Sequence, residues 1–233
     1  MSPVMPDIEV LGDRGEKFGL HDVVGGRWPQ HVDVLVDMHC RAFPDHEFAA
    51  EVIRVDASTT PHREQLVAHQ WLLTLDGEPV GYSLADSNLR RRVAPIHFLA
   101  VEPALRHMTV GGVRVGGWFL HDSLRQYAAD AGDAGLGCVA ETPEYKLPIF
   151  RQHGWRVLDA PYLEPVHGWN WRTDGLQTRS VRLIWLPPDG SDIDALEPSV
   201  AAAAAAAFLL DKYGLDQGID WVARLVSEGA CDA

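Results

Sequence analysis

The sequence predicts a mixed α/β sheet, and three observations predict it. Residues 69–75 and 79–85 are strand-like runs on either side of Asp76-Gly77, a dipeptide that suits the positive φ angles of a two-residue hairpin. Residues 96–112 read as a short apolar strand, a sharp basic turn and the opening of a helix that continues through Trp118, Leu120 and Leu124. After that, strand-like and helix-like segments alternate to residue 186, the pattern of helices crossing between strands.

Each element has its own warrant. Residues 8–11 suit an edge strand, and the rest of the segment to Pro29 is rich in glycine and charge. Val32, Leu35, Val36, His39 and Phe43 share one helical face, which predicts a helix over 30–42. A shorter helix is expected at 47–55, strands at 95–101 and 136–141, and a helix at 111–130 with Val113, Gly117, Leu120, Leu124 and Tyr127 on one side. Residues 147–153 predict one or two helical turns stopped by Gly154, where a glycine C-cap is expected. Residues 155–158 and 179–186 complete the strands, and 162–175 form a long loop carrying Trp169 and Trp171. Beyond Pro187-Pro188, residues 188–198 read as a linker. Residues 200–212 and 219–226 read as a helical pair, with seven alanines at 201–207. The organisation expected is a domain over 1–187 and a C-terminal helical extension over 188–233, a docking or dimerising appendage. Trp71, Trp118, Trp155 and Trp185 are expected in the core.

Composition narrows the function. With 233 residues, 46% of them hydrophobic, the chain can bury a sizeable core. The formal charge is 20 − 33 = −13. That disfavours a nucleic-acid surface, which needs clustered Lys and Arg, and fits a small molecule, a basic peptide or an amine. No unbroken apolar run approaches the ~20 residues of a membrane span, and the start lacks the pattern of a secretory signal. Cys40, Cys138 and Cys231 are far apart and outside metal spacing. The expectation is a reduced cytoplasmic protein with no membrane or nucleic-acid partner. Eleven histidines offer no His-x-x-x-His pair, and no Gly-x-Gly-x-x-Gly or Gly-x-Ser-x-Gly pattern occurs. No metal site is expected.

The turn at 106–112 carries the chemistry. Backbone N–H groups at a helix start have no internal partner and lie at the positive end of the macrodipole, so the turn suits an anion, phosphate above all. Two segments then resemble the GNAT superfamily of acyl-CoA N-acyltransferases. In the first, Val101-Glu102-Pro103 is followed by Arg106-His107-Met108-Thr109-Val110-Gly111, matching the family's Val-x-Pro and Arg/Gln-x-x-Gly-x-Gly/Ala. In the second, Phe150-Arg151-Gln152-His153-Gly154-Trp155 stands where the family has an aromatic residue, three others and Gly-Phe. The resemblance covers about residues 30–186. It implies a GNAT-like, mostly antiparallel twisted sheet flanked by helices, which uses acetyl-CoA or another acyl-CoA as donor and an amine of a small molecule or peptide as acceptor. The backbone of Leu99, Ala100 and Val101 would pair with pantetheine. Arg106, His107, Met108, Thr109, Val110, Gly111 and Gly112 would hold the pyrophosphate, and residues 139–141 would wall the cleft. Two departures stand out. Thr109 replaces a turn glycine, and Phe150 replaces a tyrosine that often protonates the departing thiolate.

His97, Glu141 and Tyr145 are the candidate catalytic residues. His97 lies between Ile96 and Phe98, so its side chain points away from theirs; it is a base near neutral pKa if it faces the cleft, and a buried structural histidine otherwise. Glu141 ends the opposite strand, where a carboxylate deprotonates an amine or binds its cation, unless it is a solvated strand end. Tyr145 is a proton donor by position alone. Trp169 and Trp171 either wall an acceptor pocket or cover a sheet edge. The rival reading is a non-catalytic acyl-CoA-binding or assembly module, and a third is a scaffold that binds no CoA.

Overall fold

The computed structural model describes residues 7–58, 62–63, 65–132, 135–166 and 168–227. Cys231, His167 and the side chain of Trp169 lie outside the described set. The chain forms two compact units: residues 1–87 with 96–130, and residues 88–95 with 131–233. It is mixed α/β with mostly antiparallel strands and flanking helices, as expected.

In unit 1 the strands β1 (Ile8–Leu11), β2 (Lys17–Asp22), β3 (His62–Arg63), β4 (Leu66–Leu75), β5 (Glu78–Asn88) and β6 (Ala94–Val101) are joined in the order β1-β2-β4-β5-β6, with β3 beside β4. β2 is a strand within the segment whose glycine and charge predict none. Its Phe18 and Leu20 are each 1% exposed, while glycine and charge around them conceal a short alternation. Asp76 and Gly77 both take positive φ, 51° and 89°, as the hairpin signal between β4 and β5 requires. Helices α1 (Val32–Ala42) and α2 (Ala49–Ser58) follow β2, and a small ribbon, β7 (Thr109–Val110) with β8 (Val113–Arg114), precedes α3 (Val115–Ala131). Phe18, Leu20, Trp71, Leu73, Val101, Val115 and Phe119 form one core cluster.

Two expectations for α3 are corrected. The helix starts at Val115 rather than at 111, because Gly111 and Gly112 are both left-handed at φ 58° and 78°. They make the turn of the β7–β8 ribbon. Val113 therefore lies on that ribbon and is 41% exposed, not on the buried helical face.

In unit 2, β9 (Cys138–Thr142), β10 (Arg156–Val157) and β13 (Arg182–Leu186) pair antiparallel with β13 in the middle, and β11 (Leu163–Pro165) with β12 (Thr178–Ser180) forms a separate ribbon. The expected loop at 162–175 thus holds β11 and the short α5 (Trp171–Asp174); α4 (Leu147–Arg151) sits between β9 and β10. Helices α6 (Ile193–Ala206) and α7 (Asp220–Ser227) share one core with the strands. Val139, Leu183, Trp185, Val200, Phe208 and Val222 belong to it, and the Trp185 indole donates to the Leu136 carbonyl at 2.6 Å.

The expected linker at 188–198 is shorter than the sequence suggests. Asp192 caps α6, accepting from the Ala195 N–H at 3.4 Å, and the helix runs through Pro198. At its end, Ala207–Lys212 widens into a π-helical turn, closed by the Tyr213 N–H donating to the Phe208 carbonyl at 2.9 Å. Taken together, Ile193–Lys212 is long and apolar enough to cross a membrane by length and composition. Counting unbroken apolar runs missed this. Ala204 to Leu209 lie wholly in the unit 2 core.

Candidate functional site

The candidate site in unit 1 begins on β6. Leu84 pairs with Phe98 but Ala85 with Ile96, so His97 is an extra residue, a β-bulge. Bulges re-aim side chains and interrupt ladder pairing. His97 Nε2 meets Asp86 Oδ2 at 2.7 Å, with the two side chains 12% and 19% exposed. A carboxylate on one ring nitrogen fixes which nitrogen carries the proton and orients the ring.

Past β6 the chain turns sharply. Arg106 Nε donates to the Val101 carbonyl at 3.2 Å, so this arginine folds back over the strand end. His107 is exposed, Met108 and Thr109 are half-buried, and Val110 is buried. Leu99 and Ala100 are half-buried and Val101 is buried. Facing the turn is the bend between β1 and β2. The Asp13 N–H donates to the Thr109 carbonyl at 3.0 Å. In return the Thr109 hydroxyl and the Gly112 N–H donate to Asp13 Oδ2 at 2.5 and 3.0 Å. These bonds hold the Asp13 carboxyl below the usual carboxylate range. Asp13, Arg14, Glu16, His107, Met108 and Thr109 line a shallow depression there. The turn expected to take a phosphate is not the N-terminus of α3, which begins at Val115; its Thr109 hydroxyl and Gly112 N–H hold the chain's own Asp13 carboxylate.

Glu141, in unit 2, sits in a buried polar centre. Its oxygens accept from the Tyr162 hydroxyl at 2.5 Å and the Tyr213 hydroxyl at 2.6 Å, and Lys212 Nζ lies at 3.3 Å. Glu164, whose outer oxygen accepts from Arg179 at 2.7 Å, reaches the same Tyr213 hydroxyl at 3.4 Å. Burial pushes the Glu141 carboxyl up, against the pull of Lys212. Burial and Glu141 together raise the hydroxyls of Tyr162 and Tyr213. Of the two expectations for Glu141, neither foresaw these partners, because they arrive from residues 21 to 72 positions away.

Tyr145 is 77% exposed on the turn before α4. Phe150 packs edge-on against Trp155 at 5.5 Å between ring centroids. Trp71, Trp155 and Trp185 are core residues, while Trp118 is half-buried against the unit 1 core. Trp171 donates from its indole to the Tyr213 carbonyl at 2.8 Å and so ties α5 to the end of the π turn.

A second buried centre, in unit 1, escaped the sequence reading. His69 lies between Asp22 at 2.9 Å and Asp130 at 2.8 Å. Asp130 also accepts from Ser87 and Gln126, and Asp22 from the N–H groups of Val24 and Gln70. Burial disfavours the charged ring, but the two carboxylates outweigh it, and the His69 pKa rises to about 9. Among the described residues no group of three or more His, Cys, Asp or Glu could hold a metal ion.

No protein-family model matches the chain, and no curated protein sequence matches it. Solved structures are similar. An acetyltransferase from Streptococcus agalactiae is 14% identical, covering 72% of this chain and 98% of its own, with a TM-score of 0.48. An aminoglycoside 6'-N-acetyltransferase complexed with coenzyme A is 14% identical over 74% of this chain and 99% of its own, at 0.49. A GNAT family acetyltransferase from Elizabethkingia anophelis with acetyl-CoA bound is 15% identical over 73% of this chain and 98% of its own, at 0.45.

Proposed function

We propose that this protein is an acyl-CoA-dependent N-acyltransferase that moves an acetyl or other acyl group to an amine of a small molecule or peptide. The observation that carries the reading is the turn after β6, whose Thr109 hydroxyl and Gly112 N–H already hold a carboxylate. Hydroxyl and backbone donors that converge on one anion also suit phosphate oxygens. In this reading Arg106 and His107 add charge, the segment from Met108 to Gly112 takes the pyrophosphate, and the backbone of Leu99, Ala100 and Val101 receives pantetheine. The acceptor amine attacks the thioester carbonyl directly, a proton leaves the nitrogen, and the CoA thiolate departs and is protonated. His97, oriented by Asp86, takes the amine proton. Phe150 has no proton to donate, so the departing thiolate takes its proton from solvent.

The test is the thermal shift of the purified protein with acetyl-CoA, longer acyl-CoAs and free CoA. A ligand that binds only the folded state adds about 2.7 kcal/mol at ~100 times its dissociation constant. The expected result is a clear shift, reduced in Arg106→Ala, followed by CoA release with an amine panel. No shift with any of them would end this reading. Binding without turnover across the panel would favour an acyl-CoA-binding module.

A further inference from the structure

The bend between β1 and β2 deepens the acyl-CoA reading, on which its biological meaning rests. Gly12-Asp13-Arg14-Gly15-Glu16 is held in shape by the Gly12 N–H donating to the Glu16 carbonyl at 2.7 Å and the Gly15 N–H donating to the Gly12 carbonyl at 3.0 Å. It presents the Asp13 side chain to the donors at Thr109 and Gly112, with a second, longer contact of 3.4 Å from that N–H to Asp13 Oδ1. The two segments are also joined through the backbone by the Asp13 N–H and the Thr109 carbonyl. One anion fits these donors at a time. Arg106 is turned away to the Val101 carbonyl, leaving it out of the carboxylate's bonds. Glu16 accepts from the Arg14 N–H at 3.0 Å, so it is an acid of the same bend that does not touch the turn's donors.

We propose that Asp13 is a built-in plug, a carboxylate that occupies the anion position of the Thr109–Gly112 turn and that a phosphate ligand must displace to bind. Ligand entry then requires the bend to release two side-chain bonds. Affinity for phosphate is set by competition within the chain as well as by the turn's own donors. This also gives Thr109 a role: its hydroxyl bonds whichever anion is present.

The experiment is calorimetric titration of inorganic pyrophosphate and of CoA into the full chain and its Asp13→Asn, Asp13→Ala and Glu16→Gln variants, with thermal unfolding run on each. Asp13→Ala should bind pyrophosphate ~10-fold or more tighter than the unsubstituted protein, the scale of one charge-assisted bond. Asp13→Asn should fall between, and Glu16→Gln should change little. Pyrophosphate affinity unaltered in both Asp13 variants overturns the plug. An equal gain in Glu16→Gln also overturns it, since general charge would then explain the effect. If the Asp13 variants gain pyrophosphate affinity while none binds CoA, the plug stands and the acyl-CoA reading falls.

Discussion

The two buried polar centres face the same penalty and answer it with opposite signs. In unit 1 a histidine ring is held as a cation between two carboxylates, Asp22 and Asp130. In unit 2 a carboxylate, Glu141, is held by two tyrosine hydroxyls and a lysine. Taking a charge out of water costs several kcal/mol unless partners replace the solvent. The His69 centre supplies more counter-charge than burial removes, so its charged form is favoured. The Glu141 centre supplies mostly neutral donors, so its charged form is disfavoured. Burial alone does not set the direction of a titration; the charge of the partners does.

That contrast has a shared consequence. His69 is raised in the fold from 6.5 to about 9. Its contribution is therefore complete below pH 6.5 and is lost as pH rises through about 9. Glu141 is also raised, above 4.5. Its contribution is complete below 4.5 and declines as pH rises through its folded value. One group loses a favourable charge and the other gains an unfavourable one, yet both make the fold less stable toward alkali.

The largest effect should come from breaking the cationic centre. His69→Leu leaves two buried carboxylates facing each other and should cost about 3–5 kcal/mol in urea unfolding at neutral pH. A variant as stable as the parent would mean that the triad contributes nothing. Tyr213→Phe removes a donor from Glu141 and should cost about 1–3 kcal/mol, without the charge imbalance. If it matched His69→Leu, the distinction between the centres would fail. Denaturant midpoints followed from pH 6.5 to 9 should fall for the parent protein, and His69→Gln should flatten that fall; an unchanged slope would exclude His69 as its source. The smallest effect belongs to Arg179→Met at the solvent edge of the Glu141 centre, where the arginine is 46% exposed and Glu164 keeps the Tyr213 hydroxyl at 3.4 Å. It should cost no more than about 1 kcal/mol.

Local signals carried the sequence reading where the physics is local. Asp76-Gly77 announces its hairpin by needing positive φ twice, and the apolar face of α1 is visible as Leu35, Val36 and His39. The same signal hid at Gly111-Gly112, because a glycine pair before a helical pattern fits a helix start as well as a ribbon turn. His97 and Glu141 stood out by residue type and position. Their partners did not, since Asp86 meets His97 only through a one-residue bulge, and Lys212 and Tyr213 come to Glu141 from the far end of a helix. Asp13 was unreadable for the same reason: 96 positions separate it from Thr109.

The π turn at Ala207–Lys212 gives the alanine run before it a meaning that composition could not. A turn closed five residues back, as Tyr213 is to Phe208, holds one residue more than an ordinary helical turn. The alanines are thus a ruler, and the wide turn is its slack. Deleting a single alanine can be absorbed by tightening that turn, with Asp192 still capping one end and Tyr213 still reaching Glu141 at the other. A second deletion finds no slack and rotates the helix end by about 100°, carrying Lys212 and Tyr213 off the carboxylate. What this stretch fixes is a length, with one residue of tolerance.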